Sequence, residues 1–105
     1  MSAHFQYKVG DTGTFRIQLF QASGSPQDLT GAAAVLRARR PSSETFRTVG
    51  AMVIEPGTDG WVNRAWISGE IDMDGVWDLD IRIVFAGGAI STYPAFGYIR
   101  MVVSE

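Results

Sequence analysis

The chain has 105 residues, 46% of them hydrophobic and 19% charged, with a formal net charge of −2. That is room for one domain, 1–105, burying roughly 60% or more of its unfolded surface; it is too apolar for disorder and too acidic for a dedicated nucleic-acid binder. There is no cysteine and one histidine, His4, which excludes disulfides, thiolate zinc sites, iron–sulfur clusters and cysteine nucleophiles.

Turn signals recur along the chain, at Gly10–Gly13, Ser23–Pro26, Thr30-Gly31, Pro41–Ser43, Pro56–Gly60, Asp74-Gly75, Gly87-Gly88 and Pro94. Spacings of mostly ~8–15 residues predict an all-β fold, a sandwich or barrel, with little room for a long helix. In chain order the expected strands are Phe5–Val9, Thr14–Gln21, Ala33–Arg40, Phe46–Glu55, Val62–Ser68, Trp77–Phe85 and Ala89–Tyr93, with an eighth carrying Ile99, Met101 and Val103. In the second, Phe15, Ile17 and Leu19 alternate with Arg16, Gln18 and Phe20, the period of a half-buried strand. Ala33–Arg40 has helix-favouring alanine and arginine, but it is short and runs from Gly31 to Pro41, so it reads as a strand. The sixth is the clearest. Trp77, Leu79, Ile81, Ile83 and Phe85 form one apolar face, opposite Asp78, Asp80, Arg82 and Val84. Gly87-Gly88 predicts a primed hairpin turn into the seventh strand.

No apolar stretch near the N-terminus resembles a signal peptide, and no run approaches the ~20 residues of a membrane-spanning helix. A cytoplasmic site of synthesis and no membrane partner are therefore expected.

Few residues could carry chemistry. His4 lies near the chain end, where an exposed or edge-strand position is expected rather than a triad. Asp72-Met73-Asp74-Gly75 resembles part of a calcium loop, but Ile83 stands where the closing carboxylate belongs, so an Asp-Gly turn is expected and no metal or other cofactor. Asp78 and Asp80 share one strand face, with Glu70, Asp72 and Asp74 upstream. They could be a solvated face, a subunit contact or, least, a hydrolytic pair. Arg37, Arg39 and Arg40 form the densest basic cluster in a chain with eight arginines and one lysine. They could face acids on a neighbouring strand or form an intersubunit patch. Trp77 is expected in the core. Trp61 and Trp66 fall on opposite faces of one strand, so one should be less buried, as an interface anchor or sugar platform.

The order of motifs points further. Gly10-Asp11-Thr12 is followed by Gly24-Ser25-Pro26-Gln27-Asp28-Leu29-Thr30-Gly31-Ala32, then Arg39-Arg40-Pro41, Asp74-Gly75-Val76-Trp77-Asp78, Gly87-Gly88, Thr92-Tyr93-Pro94 and Gly97-Tyr98-Ile99. This series resembles the N-terminal immunoglobulin-like domain of tailed-phage baseplate upper proteins and related short phage structural proteins. The resemblance implies an antiparallel Ig-like β-sandwich of about eight strands and a non-enzymatic role in the virion. With the last strand ending near Glu105, a tail or baseplate adaptor or a capsid-decorating subunit is expected. Its partners would be other virion proteins, with a homo-oligomer plausible. The alternative is a carbohydrate-binding or host-adhesion module using Trp61 or Trp66. The contact candidates are Arg37, Arg39, Arg40, Trp61, Trp66, Asp78 and Asp80.

Overall fold

The computed structural model describes residues 4–55, 57–94 and 97–105. Pro56 of the expected Pro56–Gly60 turn and the aromatic Phe96 lie outside the described residues. Eight strands form: β1 His4–Lys8, β2 Thr14–Gln18, β3 Ala33–Arg39, β4 Arg47–Ile54, β5 Trp61–Ala65, β6 Gly75–Val84, β7 Ile90–Tyr93 and β8 Ile99–Ser104. A single 3-10 turn at Gly57–Asp59 is the one helical element among the described residues. The arginine-containing stretch before Pro41 is a strand, and β3 and β7 end just before Arg40-Pro41 and Pro94, where proline would interrupt a ladder. The fifth strand begins one residue earlier than expected and stops at Ala65, three residues short.

The strands make one curled sheet in the order β1-β8-β6-β3-β4-β5-β2, with β7 also on β6. β6 is the axis. One edge pairs with β3 along Asp78–Val84, while the other is shared by β8, opposite Gly75–Leu79, and β7, opposite Ile81–Val84. β4 changes partner midway. Its first part pairs with β3 across a register shift between Leu36 and Arg37, and Val53 and Ile54 pair with β5. Such an irregularity increases local twist, which helps the sheet to curl.

The expectation of a wholly antiparallel sheet is corrected at one place: β1 runs parallel to β8, His4 opposite Arg100 through Lys8 opposite Ser104. Parallel neighbours need a long crossover, and here the whole intervening domain supplies it. The two ends of the strand order, β1 and β2, share no ladder. They meet through side chains, with the Phe5 and Phe15 rings 4.6 Å apart. Tyr7 and Phe15 each set an edge-on ring against Trp66. The curl is thus closed by aromatic packing rather than by backbone pairing.

The buried face follows the alternation. Trp77, Leu79, Ile81 and Ile83 of β6 pack with Leu36 of β3, Phe15 of β2, Val62 of β5 and Ile99 and Met101 of β8. Phe85, expected to continue this face, lies beyond β6 and is half-buried. Connections complete the core through Leu29, Trp66 and Ile71. The Asp28–Ala32 motif serves this purpose. The Asp28 carboxylate accepts from the Thr30 backbone N–H and hydroxyl, at 2.9 and 2.6 Å, and the resulting turn presses Leu29 into the core. The β6–β7 hairpin differs from the two-glycine primed turn. Phe85 N–H donates to Ala89 O, Gly88 N–H donates to Phe85 O, and Gly88 alone of the glycine pair has positive φ. That is a three-residue loop ending in a glycine bulge.

Gly60 has φ +77°, and a Cβ there would lie 2.5 Å from the Leu19 carbonyl oxygen, which already accepts from Gln27 N–H. Gly13 has open space around it and no positive φ. Gly60→Ala is expected to cost about 2–3 kcal/mol in urea unfolding, and Gly13→Ala less than about 0.5 kcal/mol.

Candidate functional site: the arginine–aspartate ladder of β3 and β6

β3 and β6 turn alternate residues away from the core, and their register sets Arg37 opposite Asp80 and Arg39 opposite Asp78. Directly opposed residues on one face are close enough to pair. Arg37 Nε and Nη2 donate to the two Asp80 oxygens at 2.7 and 2.6 Å, a bidentate fork. Arg39 Nε and Nη2 both reach Asp78 Oδ2, at 3.2 and 2.6 Å. The carboxylates hold both guanidiniums more firmly protonated than usual through these hydrogen bonds.

An aromatic pair roofs the ladder. Phe46, just before β4, and Tyr98, just before β8, have ring centroids 5.0 Å apart. The Arg39 guanidinium lies 5.0 Å from the Phe46 centroid and 4.8 Å from that of Tyr98, and Arg37 lies 5.5 Å from Phe46. This cover explains why Asp80, on the outward face of a sheet, is only 3% exposed. Of the two structural arrangements open to the arginine cluster, Arg37 and Arg39 adopt the one facing acids on the neighbouring strand.

Arg40 goes elsewhere. It follows β3, pairs with Asp72 and places its guanidinium 5.9 Å from the Trp77 ring. Asp72 is thereby engaged in an ion pair, and Gly75 (φ +124°) packs so closely on Pro41 that a Cβ would come within 2.8 Å of it. Arg40 also lines a cleft of about 250 Å³ together with Arg47, Trp66, Glu70 and Trp77. Arg40 Nε and Trp66 Nε1 are buried there with no hydrogen-bond partner among the described residues.

Trp66 is 3% exposed, which removes it as a platform, and Trp77 is in the core as expected. Trp61 is half-buried, so one of the β5-region tryptophans is indeed less buried, but the Arg16 guanidinium stacks 3.8 Å from the Trp61 ring centroid. Among the described residues no group of three or more His, Asp or Glu side chains is placed to hold a metal. His4 opens the edge strand β1.

The sequence reading missed a second bidentate pair. Arg64 of β5 donates from Nη1 and Nη2 to the Glu70 carboxylate, each at 2.8 Å, and Glu70 also accepts from Ile67 N–H. Gly50 makes room for it, since a Cβ there would lie 2.9 Å from Arg64 Nη2. Glu70 was visible only as one acid in a run, because its partner is set by how the Trp66–Glu70 connection folds back. Phe46, expected to open the fourth strand, and Tyr98 lie just before β4 and β8, and their roles were not legible because the ring contact between them depends on where the two strands meet in the sheet.

Two predictions come from these pairs. The Asp80 side chain is 5% exposed and that of Arg37 22%, so Arg37→Ala strands a carboxylate and is expected to cost about 3 kcal/mol. Asp78→Ala, in a pair open to water at both ends, should cost under about 1 kcal/mol in the same urea titration. The Arg64 hydrogen bonds, with that of Ile67, hold Glu70 below its ordinary value of 4.5. The folded state therefore binds fewer protons here than the unfolded chain. The stabilisation is complete above about pH 4.5 and is lost as pH falls through the folded-state value. Glu70→Gln should lower stability at pH 7 and flatten the acid limb of a stability–pH curve. A scan against models of known protein families finds no match to this chain, and a search of curated proteins finds none either.

Proposed function

We propose that this chain is a non-enzymatic structural subunit of a bacteriophage virion, a tail or baseplate adaptor or a particle-decorating subunit. It would be made in the host cytoplasm and act through contacts with other virion proteins. The observation that carries this reading is the outer face around the ladder. Val76 and Tyr98 are exposed large side chains there, beside exposed Arg82 and Arg100, and neither arginine enters an ion pair among the described residues. Aromatic, aliphatic and arginine side chains on a stiff support are the composition of a protein contact. The ladder and its aromatic roof supply the stiffness, so the contact residues are its neighbours rather than Arg37 and Asp80 themselves.

The motif series supports the same reading, because its residues have structural work: Asp28 and Thr30 shape a turn, Leu29 fills the core and Gly75 packs on Pro41. The finer assignment to an Ig-like sandwich is part of this proposal. The neighbours β8-β6-β3 correspond to strands G, F and C, and β5-β2 to E and B, with β4 passing between the two groups.

Density-gradient fractionation of the source lysate, with mass spectrometry across fractions, tests the proposal. The chain is expected to band with intact particles at a fixed ratio to the major capsid or tail-tube protein. Val76→Asp with Arg100→Glu should fold normally and stay in the soluble fractions. A native chain found only at the top of the gradient would refute the proposal.

A further inference from the structure

The cleft of about 250 Å³ is lined by the start of β4, by Arg40 just after β3, by the connection from β5 to β6 and by Trp77 of β6. Two of its lining residues carry a donor with no acceptor. Trp66 is 3% exposed, and neither its indole N–H nor the Nε–H of Arg40 has a hydrogen-bond partner among the described residues. Buried polar atoms in folded proteins are nearly always bonded, so two orphans on one cleft call for an explanation. Indole and guanidinium only donate, and the two cannot satisfy each other. Trp77 shows the usual arrangement, its indole N–H donating to Met73 O at 3.0 Å. The one carboxylate in the lining, Glu70, is taken up by Arg64 and the Ile67 N–H.

The charges of the lining do not cancel. Arg40 is balanced by Asp72, and Glu70 by Arg64. Arg47, exposed at the start of β4, enters no ion pair among the described residues. The cleft therefore has one uncompensated positive charge and two unmet donors. The complementary group accepts hydrogen bonds, donates none and carries a single negative charge, which describes an ionised carboxylate. A phosphoryl group brings roughly two charges and exceeds the balance. The volume corresponds to about eight waters, enough for a carboxylate with a short carbon body. Val49 and the rings of Trp66 and Trp77 give that body apolar walls. Neither donor atom touches bulk water, so the entering oxygen displaces lining side chains, and those of the exposed Arg47 and Thr48 are the ones at the surface.

We propose that this cleft is a binding site for a monocarboxylate, free or carried on an acidic side chain. Its oxygens accept from Trp66 Nε1 and Arg40 Nε, and Arg47 is its counter-ion. Charge-assisted bonds to desolvated donors are the strong kind. The inference goes beyond the virion reading and does not depend on it.

The chain has three tryptophans, so its indole N–H groups give three signals in a nitrogen–proton correlation spectrum, with Trp66→Phe identifying the one that matters. Sodium propionate, titrated against sodium chloride at constant ionic strength, is expected to shift the Trp66 indole and Arg40 Nε–H signals saturably. Trp61 does not line the cleft and should hold still. Arg47→Gln should weaken propionate roughly fivefold, the worth of one exposed ion pair, and leave the urea midpoint unchanged. A capped tripeptide with a central glutamate separates the two sources: binding tighter than propionate assigns the cleft to an acidic side chain of a partner protein, and weaker binding to a free acid. The same peptide with glutamine should not bind. Absence of a saturable Trp66 shift, an equal shift with chloride alone, an affinity untouched by Arg47→Gln, or equal binding of the glutamine peptide would each overturn the proposal. So would a Trp66 indole proton in contact with a long-lived buried water that propionate does not displace, since water alone then satisfies the donors. Because these measurements use the purified chain alone, their outcome is separate from that of the gradient experiment.

Discussion

Asp80 points out of the sheet from its central strand, yet it is 3% exposed, and both of its oxygens are held by Arg37 from the opposite strand. A carboxylate taken out of water needs a partner of opposite charge and good geometry, or the fold loses several kcal/mol. The register of β3 on β6 is therefore specified twice. On the buried face it must keep Leu36 and Ala38 with Ile81 and Leu79, and on the outer face it must keep Arg37 and Arg39 with Asp80 and Asp78. A one-residue slip would reverse both faces of β3 at once. Since β4, β7 and β8 attach directly to this pair of strands, the rest of the sheet inherits its alignment.

The ends of the sheet are joined by a different kind of interaction. No backbone ladder links β1 to β2, and the Phe5–Phe15 contact with Tyr7 and Trp66 fills the gap. Aromatic rings bury much area with little loss of side-chain freedom. The N-terminal strand thus has two anchors, parallel pairing with the C-terminal strand and ring packing against β2. The outer face uses rings in another way. Phe46 and Tyr98 cover the guanidiniums of Arg37 and Arg39 and shield the ladder from water. Charge, in this protein, stiffens a surface from within, while the exposed residues beside it remain available for contacts.

Much of the fold was legible in the sequence. The alternation of Trp77, Leu79, Ile81 and Ile83 with polar residues predicted β6 and its buried face, and the positions of all eight strands could be read within a few residues. The pairing of the arginine cluster with acids on an adjacent strand was one of the readings open to Arg37 and Arg39. Trp66 shares the face of buried Val62, but it was not legible as a core residue because both faces of that segment mix apolar and polar side chains, Val62 with Arg64 on one and Trp61 with Asn63 on the other. Arg40 was grouped with its two neighbours by proximity in sequence, but it follows the end of β3 and turns to Asp72.

The sequence alone determined the all-β class, the strand positions, the hairpin between β6 and β7 and the core face of the long strands. These depend on near neighbours: side chains alternate within a strand, and glycine or proline acts on its own backbone. Only the tertiary structure decided which strands pair, that β1 lies parallel to β8, which acid each arginine meets, and that Phe46 and Tyr98 form a roof. Those outcomes join residues such as Arg37 and Asp80, 43 positions apart, and contacts at that separation are set by the closure of the whole sheet rather than by any local pattern.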